Sequence, residues 1–160
     1  MLRQMSYKIE YSHKGKISGR FELPASKSIS NRVLIINALS GSDKSVANLA
    51  KCDDTDVMVK ALASDSHLVD IGAAGTSMRF LTAYLSIKPG EWTITGSQRM
   101  KERPIQILVD ALRSIGADIE YAENEGFPPL EIRGKEIEGG DVEIDGSVSS
   151  QYISALMMIA

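Results

Sequence analysis

The chain has 160 residues, of which 43% are apolar and 24% charged, and its formal net charge is −3 at pH 7. This length is enough for one domain, or two small ones, with a hydrophobic core. The acidic balance argues against a nucleic-acid-binding protein, whereas an enzyme of small anions needs only a local group of cations. One cysteine, Cys52, excludes an internal disulfide, and with two histidines it makes a poor set of metal ligands.

The amino-terminal residues MLRQMSYKIEYS lack the apolar run of a signal peptide. No segment approaches the roughly 18 consecutive apolar residues that a membrane-spanning helix needs. We therefore expect a cytoplasmic protein that works without a membrane.

In chain order, the sequence predicts short strands alternating with helices. The predicted strands cover residues 7–11, 45–49, 68–71, 91–95, 118–121, 130–133 and 141–144. The predicted helices cover residues 29–39, 53–62, 77–87, 104–115 and about 149–160. Turns containing glycine or proline separate these elements, and a polar, cation-rich loop is expected over residues 96–103.

The stretch LPASKSISNRVLIINAL, residues 23–39, is the most informative part of the chain. Its serines are typical helix N-cap residues, and a helix start exposes unpaired N–H groups and the positive end of the helix dipole. Lys27 lies at this start, and Arg32 follows Ser28 by one helical turn. A lysine, a hydroxyl, an arginine and free N–H groups would together suit a phosphate monoester. The alternative is a capped surface helix with two solvated cations.

An internal repeat accounts for the order of the elements. Arg32 and Arg79 each follow a turn of small and hydroxyl residues and lie in an apolar helix, and the VKAL of residues 59–62 recurs as VDAL fifty residues later. The pattern restarts near Ser149, with Gln151 at the arginine position. The alternative is a chance similarity of amphipathic helices. Because the last helix is apolar and lacks a C-cap signal, we expect a longer parent protein, with a genuine packed terminal helix as the alternative.

Three turns of small residues precede three apolar helices, at residues 26–28, 75–77 and 147–150. If the repeat units pack about a common axis, the three helix starts point into one cleft. Gly75 would let a ligand approach the backbone closely, because it has no Cβ. In the loop QRMKER, Arg99 is a candidate cation of this cleft, whereas Lys101 and Arg103 are expected to be solvated.

Four segments, LPASKSISNR, GAAGTSMRFL, RMKERPIQILVDAL and GSVSSQYISALMM, resemble in order and spacing the signature segments of the 3-phosphoshikimate 1-carboxyvinyltransferase family, also called EPSP synthases. The resemblance implies an α/β (α+β) fold of βαβαββ-type units around a pseudo-threefold axis, within a two-domain protein resembling an inverse α/β barrel. It implies a strand segment at 1–22 that belongs with a second domain, repeat units at 23–71 and 72–140, and the start of a third at 141–160.

This family transfers the enolpyruvyl group of phosphoenolpyruvate to the 5-hydroxyl of shikimate 3-phosphate, without a metal or organic cofactor. The resemblance implies that Lys27 touches both substrates and acts in catalysis. The remaining positions implied to bind shikimate 3-phosphate are Ser28, Arg32, Ser149, Ser150 and Gln151, and those implied for phosphoenolpyruvate are Gly75, Arg99 and Gln151. The implied partners are these two anions and the family's second domain, in a monomeric enzyme of the shikimate pathway.

The chain departs from the family pattern at two positions. Ala73 stands where the family usually has asparagine, and Phe80 stands where it usually has proline. Both are near the turn beside which the family's phosphoenolpyruvate site also takes the herbicide glyphosate, so both bear on the response to that inhibitor.

Two alternative functions remain from the sequence. The first is a fragment that binds shikimate 3-phosphate and catalyses nothing. The second is a UDP-N-acetylglucosamine enolpyruvyl transferase, which has the same fold. The second is disfavoured because Lys27-Ser28 stands where that relative has lysine-asparagine, and because Cys52 lies in the acidic CDDTD rather than in a glycine-rich loop.

Overall fold

A computed structural model describes Lys8, Glu10, Gly15 and residues 18–160. The strand predicted over residues 7–11 lies largely outside these residues. The helices are α1 (Lys27–Leu39), α2 (Asp53–Ala63), α3 (Gly75–Ile87), α4 (Gln98–Lys101), α5 (Gln106–Ser114) and α6 (Ser150–Ile159). The strands are β1 (Leu68–Asp70), β2 (Gly90–Thr95), β3 (Asp118–Tyr121) and β4 (Leu130–Gly134). None of the described helices is long and apolar enough to cross a membrane.

The four strands form one mixed sheet in the order β1-β2-β4-β3. Strand β1 runs parallel to β2, with Leu68 opposite Thr93, and β4 runs antiparallel to both β2 and β3. Buried Leu130 and Ile132 alternate with exposed residues along β4, so one face of the sheet is packed and the other is open. Two adjacent parallel strands need a crossover connection, and here α3 supplies it.

Helix α3 is the centre of the core and packs against α1, α2, α6 and β4. Its hydroxyl residues Thr76, Ser77, Thr82 and Ser86 are buried with its apolar residues because each hydroxyl has a hydrogen-bond partner. Thr82 Oγ1 donates to Met78 O at 2.7 Å, and Ser86 Oγ donates to Thr82 O at 2.7 Å. These bonds remove the cost of burying unpaired hydroxyls, so a helix of mixed composition can be covered on every side.

Two predicted strands are wrong, because residues 45–49 and 141–144 have irregular backbone. Asn48 adopts a left-handed φ of 54°, and the N–H of Ala50 donates to Ser30 Oγ at 2.9 Å instead of to a neighbouring strand. In the second segment, Ile144 packs against the core while alternate residues are exposed. Alternating polarity reports that one side of a segment is buried, and a strand also needs a partner to pair with.

The other differences concern boundaries. The loop predicted over residues 96–103 contains the short helix α4. Helix α3 begins at Gly75, two residues before its predicted start, because Ala74 O already accepts from Met78 N at 3.0 Å. Helix α5 begins at Gln106, so Pro104 precedes it, and the Pro104 carbonyl accepts from Tyr152 Oη at 2.9 Å.

The two predicted repeat units share one arginine contact. Arg32 Nη1 donates to Ser28 O at 3.1 Å, and Arg79 Nη1 donates to Gly75 O at 2.7 Å, so each arginine folds back onto the carbonyl four residues earlier. Helix α1 is followed by α2 and β1, and α3 is followed by α5 and β3, in the order that the sequence repeat requires. The counterpart of β2 in the first copy is the irregular segment 45–49.

Tyr121, at the end of β3, makes the stability of the fold depend on pH. Burial, and secondarily the charge of Asp110, raises the pKa of its hydroxyl to about 12. The hydroxyl is buried without a hydrogen-bond partner among the described residues, and Arg113 lies over the ring at 5.0 Å. Because the unfolded chain releases this proton near pH 10, the stabilisation is complete below about pH 10 and is lost as the pH rises to about 12.

We therefore expect Tyr121→Phe to leave the free energy of unfolding at about pH 7 unchanged, or to raise it by up to about 1 kcal/mol, since no hydrogen bond is lost. Between about pH 10 and pH 12 the wild-type chain should lose about 1 kcal/mol more than the variant. Urea unfolding at neutral and alkaline pH measures both quantities. Parallel pH profiles for the two chains would contradict the raised pKa.

Candidate functional site

The first helix start is fixed by two serines. Ser26 caps α1, and its Oγ accepts from Ile29 N at 3.4 Å, as the sequence predicts for a serine at this start. Ser30 Oγ donates to Ser26 O at 2.9 Å and accepts from Ala50 N at 2.9 Å, which holds the preceding turn against the loop before α2. Lys27 and Ser28 lie exposed on this fixed turn.

Lys27 has one carboxylate near it. Its Nζ lies 3.5 Å from Asp54 Oδ2, and 48% of the Lys27 side chain is exposed. The Asp54 carbonyl accepts from Ser77 Oγ at 2.9 Å, so the first turn of α2 touches the starts of both α1 and α3. An ammonium group carries three donors, and one carboxylate leaves the others directed toward solvent, where they can meet an anion.

Arg32 is half-buried and held from three directions. Besides the bond from its Nη1 to Ser28 O, its Nη2 donates to Ser154 Oγ at 2.9 Å, which joins α1 to α6. Its guanidinium carbon lies 5.3 Å from the ring centroid of Phe80 on α3. Arg32 therefore contacts all three of the repeat-related helices.

The third helix start is joined to the second by an amide. Ser149 caps α6, and its Oγ accepts from Gln151 N at 3.3 Å. Gln151 Nε2 donates to Thr76 Oγ1 at 3.3 Å, and Ser150 is exposed beside it. Together with the contacts of Arg32 and Asp54, this bond brings the three helix starts into one region, as the repeat predicts.

Gly75 lies between two guanidinium groups. A Cβ placed on it would lie 2.5 Å from Arg103 Nη1 and 3.0 Å from Arg79 Nη1. The Nε of Arg79 is buried without a partner among the described residues. Beside the glycine is a concavity of about 390 Å³ lined by Ala73, Ser97, Arg99, Met100 and Arg103.

The arginines of this region have no acidic partners among the described residues. Among the described residues, no carboxylate lies within ion-pair distance of Arg32, Arg79, Arg99 or Arg103. Lys101 differs, because its Nζ lies 2.6 Å from Glu123 Oε1. Like charges held close together repel, so an anion bound among these guanidinium groups lowers the energy of the region.

Sequence reasoning identified the helix-start residues and missed two contacts with their neighbours, Asp54 and Arg103. Arg103 is exposed, as expected, but its guanidinium also lies against Gly75, a contact that the sequence did not indicate. The contact of Asp54 with Lys27 joins segments far apart in the chain, although the acidic start of α2 was visible. The position of Arg79 follows from its equivalence to Arg32 in the repeat. Among the described residues, no group of three His, Cys, Asp or Glu side chains could hold a metal ion.

Solved structures define the class of fold to which this chain belongs. Two structures of EPSP synthase from Acinetobacter baumannii match it with TM-scores of 0.74 and 0.72 at 23% sequence identity. The match covers 88% of this chain and 38% or 37% of those chains. The mixed α/β fold expected from the sequence is confirmed.

Sequence comparison is more specific. The family model for EPSP synthase (3-phosphoshikimate 1-carboxyvinyltransferase) matches residues 11–66 and 63–160, so the chain belongs to the EPSP synthase family. A 3-phosphoshikimate 1-carboxyvinyltransferase from Bacteroides fragilis (strain YCH46) is 62% identical over 144 residues, 90% of this chain and 35% of the relative. One from Aliivibrio salmonicida is 43% identical over 172 aligned residues, 91% of this chain and 40% of the relative. The chain thus spans well under half the length of these curated relatives.

Proposed function

We propose that the protein to which this chain belongs transfers the enolpyruvyl group of phosphoenolpyruvate to the 5-hydroxyl of shikimate 3-phosphate and releases phosphate. One observation carries the proposal: three linked helix starts bring together Lys27 and several arginines, and among the described residues none of these arginines has a carboxylate within ion-pair distance. Both substrates are multiply anionic, and cations between them offset their mutual repulsion. Orientation and charge stabilisation then supply much of the rate.

In this proposal shikimate 3-phosphate lies at the starts of α1 and α6. Arg32 offers the guanidinium donors left over from its bonds to Ser28 O and Ser154 Oγ, and Lys27 offers a compact positive charge. The hydroxyls of Ser28, Ser149 and Ser150 and the amide of Gln151 can donate to phosphate and hydroxyl oxygens. The exposure of Ser28 and Ser150 supports this assignment, because both remain open to a ligand.

Phosphoenolpyruvate is assigned to the concavity beside Gly75. Arg99 lines it without an ion-pair partner among the described residues, and Gln151 reaches the same region through Thr76. Lys27 lies at the start of α1 beside Asp54, whose carbonyl accepts from Ser77 at the start of α3. It is assigned the catalytic role because this position lets it contact both anions.

The division of the chain into units at 23–71, 72–140 and 141–160 is part of the same proposal. The paired contacts of Arg32 and Arg79 support the first two units, and the capped start of α6 supports the third. The assignment of residues 1–22 to a second domain stays a prediction, as do the acid/base residues of that domain, the monomeric state and the cytoplasmic location.

Calorimetric titration with shikimate 3-phosphate tests this site. We expect saturable binding that weakens as salt rises from low to moderate concentration, because screening reduces the attraction between opposite charges. Arg32→Ala should weaken it about 10- to 100-fold, the cost of a charge-assisted contact to phosphate. Arg133→Ala, which removes an exposed arginine paired with Glu120 on the open face of the sheet, should change it less than twofold.

The outcomes separate the alternatives. Binding whose affinity changes neither with salt concentration nor with Arg32→Ala would contradict the assigned site. Release of phosphate from phosphoenolpyruvate in the presence of shikimate 3-phosphate distinguishes an enzyme from a module that only binds.

A further inference from the structure

Phe80 is a buried aromatic residue beneath a candidate substrate-binding arginine. Its side chain is 0% exposed, and its ring centroid lies 5.3 Å from the guanidinium carbon of Arg32. Since the ring has no contact with solvent, it cannot itself touch a ligand in the cleft. Its effect on the site has to pass through the groups that it packs against.

Arg32 makes two hydrogen bonds and one cation–π contact. Its guanidinium donates to Ser28 O and Ser154 Oγ, which uses two of the five N–H donors. The guanidinium carbon lies over the ring of Phe80, where a cation and a π-system attract each other. These contacts fix the plane of the guanidinium and leave donors free, so the arginine is orientated before a phosphate arrives.

The same arrangement recurs in the next repeat unit. The guanidinium carbon of Arg79 lies 5.3 Å from the ring centroid of Tyr152, while Arg79 Nη1 donates to Gly75 O. In both cases the aromatic residue belongs to the helix of the following repeat unit. Phe80 comes directly after Arg79 in α3, and Tyr152 comes directly after Gln151, which occupies the equivalent position in α6. At the corresponding place after Arg32, α1 has Val33 instead of an aromatic residue. The rings of Phe80 and Tyr152 therefore occupy equivalent positions in the repeat, and each contacts the arginine of the preceding unit.

We propose that Phe80 is a positioning residue for shikimate 3-phosphate binding, acting through the plane of the Arg32 guanidinium. This inference rests on the proposed role of Arg32. A substitution that removes the aromatic ring but keeps an apolar side chain frees the guanidinium of Arg32 to rotate. It should raise the KM for shikimate 3-phosphate about three- to tenfold. The assigned phosphoenolpyruvate site lies at the start of α3, the helix that also carries Phe80, but the guanidinium group over the Phe80 ring is that of Arg32. The KM for phosphoenolpyruvate should therefore change less than twofold.

The test uses the full-length protein that contains this chain. It measures kcat and the KM for each substrate in the wild type and in Phe80→Leu. We expect the KM for shikimate 3-phosphate to rise about three- to tenfold, with the KM for phosphoenolpyruvate and kcat within about twofold of wild type. Leu85→Ala is the matched control, because Leu85 is also buried in α3 and lies beyond the arginine contacts. It should lower Tm at least as much as Phe80→Leu while leaving both KM values unchanged.

A double-mutant cycle separates positioning from general packing. In the Arg32→Ala background, Phe80→Leu should raise the KM for shikimate 3-phosphate by less than twofold, because its effect requires the arginine. Equal increases in both KM values, or an undiminished effect without Arg32, would overturn the role of Phe80. A wild-type protein that neither binds nor consumes shikimate 3-phosphate would instead refute the proposed function, and the role of Phe80 with it.

Discussion

Lys27→Ala is expected to reduce kcat/KM by about 10²- to 10³-fold or more, the largest effect of any single change in the chain. Lys27 is the cation assigned to both substrates. Without it, two multiply charged anions meet with less compensation, and Asp54 stays in the site without its counter-ion. The substitution thus removes an attractive charge and leaves a repulsive one at the same place.

The rate of phosphate release from phosphoenolpyruvate, measured with the full-length protein that contains this chain, reports this loss of kcat/KM. Lys60→Ala is the control, because Lys60 is an exposed lysine in the last turn of α2 and should change the rate less than twofold. Unfolding curves of the two variants should nearly coincide, since a half-exposed lysine with one carboxylate near it adds little stability. Near-normal turnover of the Lys27 variant would remove this residue from the catalytic assignment.

Gly75→Ala is expected to raise the KM for phosphoenolpyruvate about 10- to 100-fold, which corresponds to the loss of one or two charge-assisted contacts to this substrate. The KM for shikimate 3-phosphate should change less than threefold. The new Cβ would lie too close to the Nη1 atoms of Arg103 and Arg79. Arg103 is exposed and can move, but Arg79 is tied to Gly75 O. Both the methyl group and the displaced guanidinium groups then occupy the region assigned to phosphoenolpyruvate.

The stability of this variant should change little. Gly75 has no left-handed φ, and alanine favours helices by up to about 1 kcal/mol over glycine. Gly146→Ala is the matched control, because its Cβ would meet only Ile153 Cδ1 at 3.5 Å, an ordinary contact. Equal increases in the KM values for the two substrates of the Gly75 variant would contradict the placement of phosphoenolpyruvate beside this turn.

Elements with strong helical periodicity and capping residues were predictable from the sequence. Helices α1, α2 and α6 begin and end within about two residues of their predicted bounds, since Ser26, the acidic residues of α2 and Ser149 mark their starts locally. The strands predicted at 45–49 and 141–144 failed because strand formation depends on a partner elsewhere in the chain. The left-handed Asn48 has no unambiguous signal in the sequence.

The candidate site likewise contains residues that were predictable from local sequence and residues that only tertiary packing brings in. Lys27, Arg32 and Gly75 stand out because each belongs to a helix start, and a helix start is a local feature. The neighbours of these residues, Asp54 and Arg103, are brought in by packing between repeat units, which no spacing within one unit encodes. Phe80 was conspicuous only as a departure from the family pattern, and its contact with Arg32 depends on how α1 packs against α3.

The enclosure of α3 by other elements, which buries most of its residues, has a mechanical consequence. Gly75 and Arg79 belong to a helix enclosed by α1, α2, α6 and the sheet, whereas Ile29 and Ile36 of α1 remain 65% and 53% exposed. A helix supported on fewer sides opens at a lower free-energy cost than one that is enclosed. Within this chain we therefore expect the two halves of the cleft to differ in stiffness, with the glycine turn more rigid than the helix that bears Lys27 and Arg32.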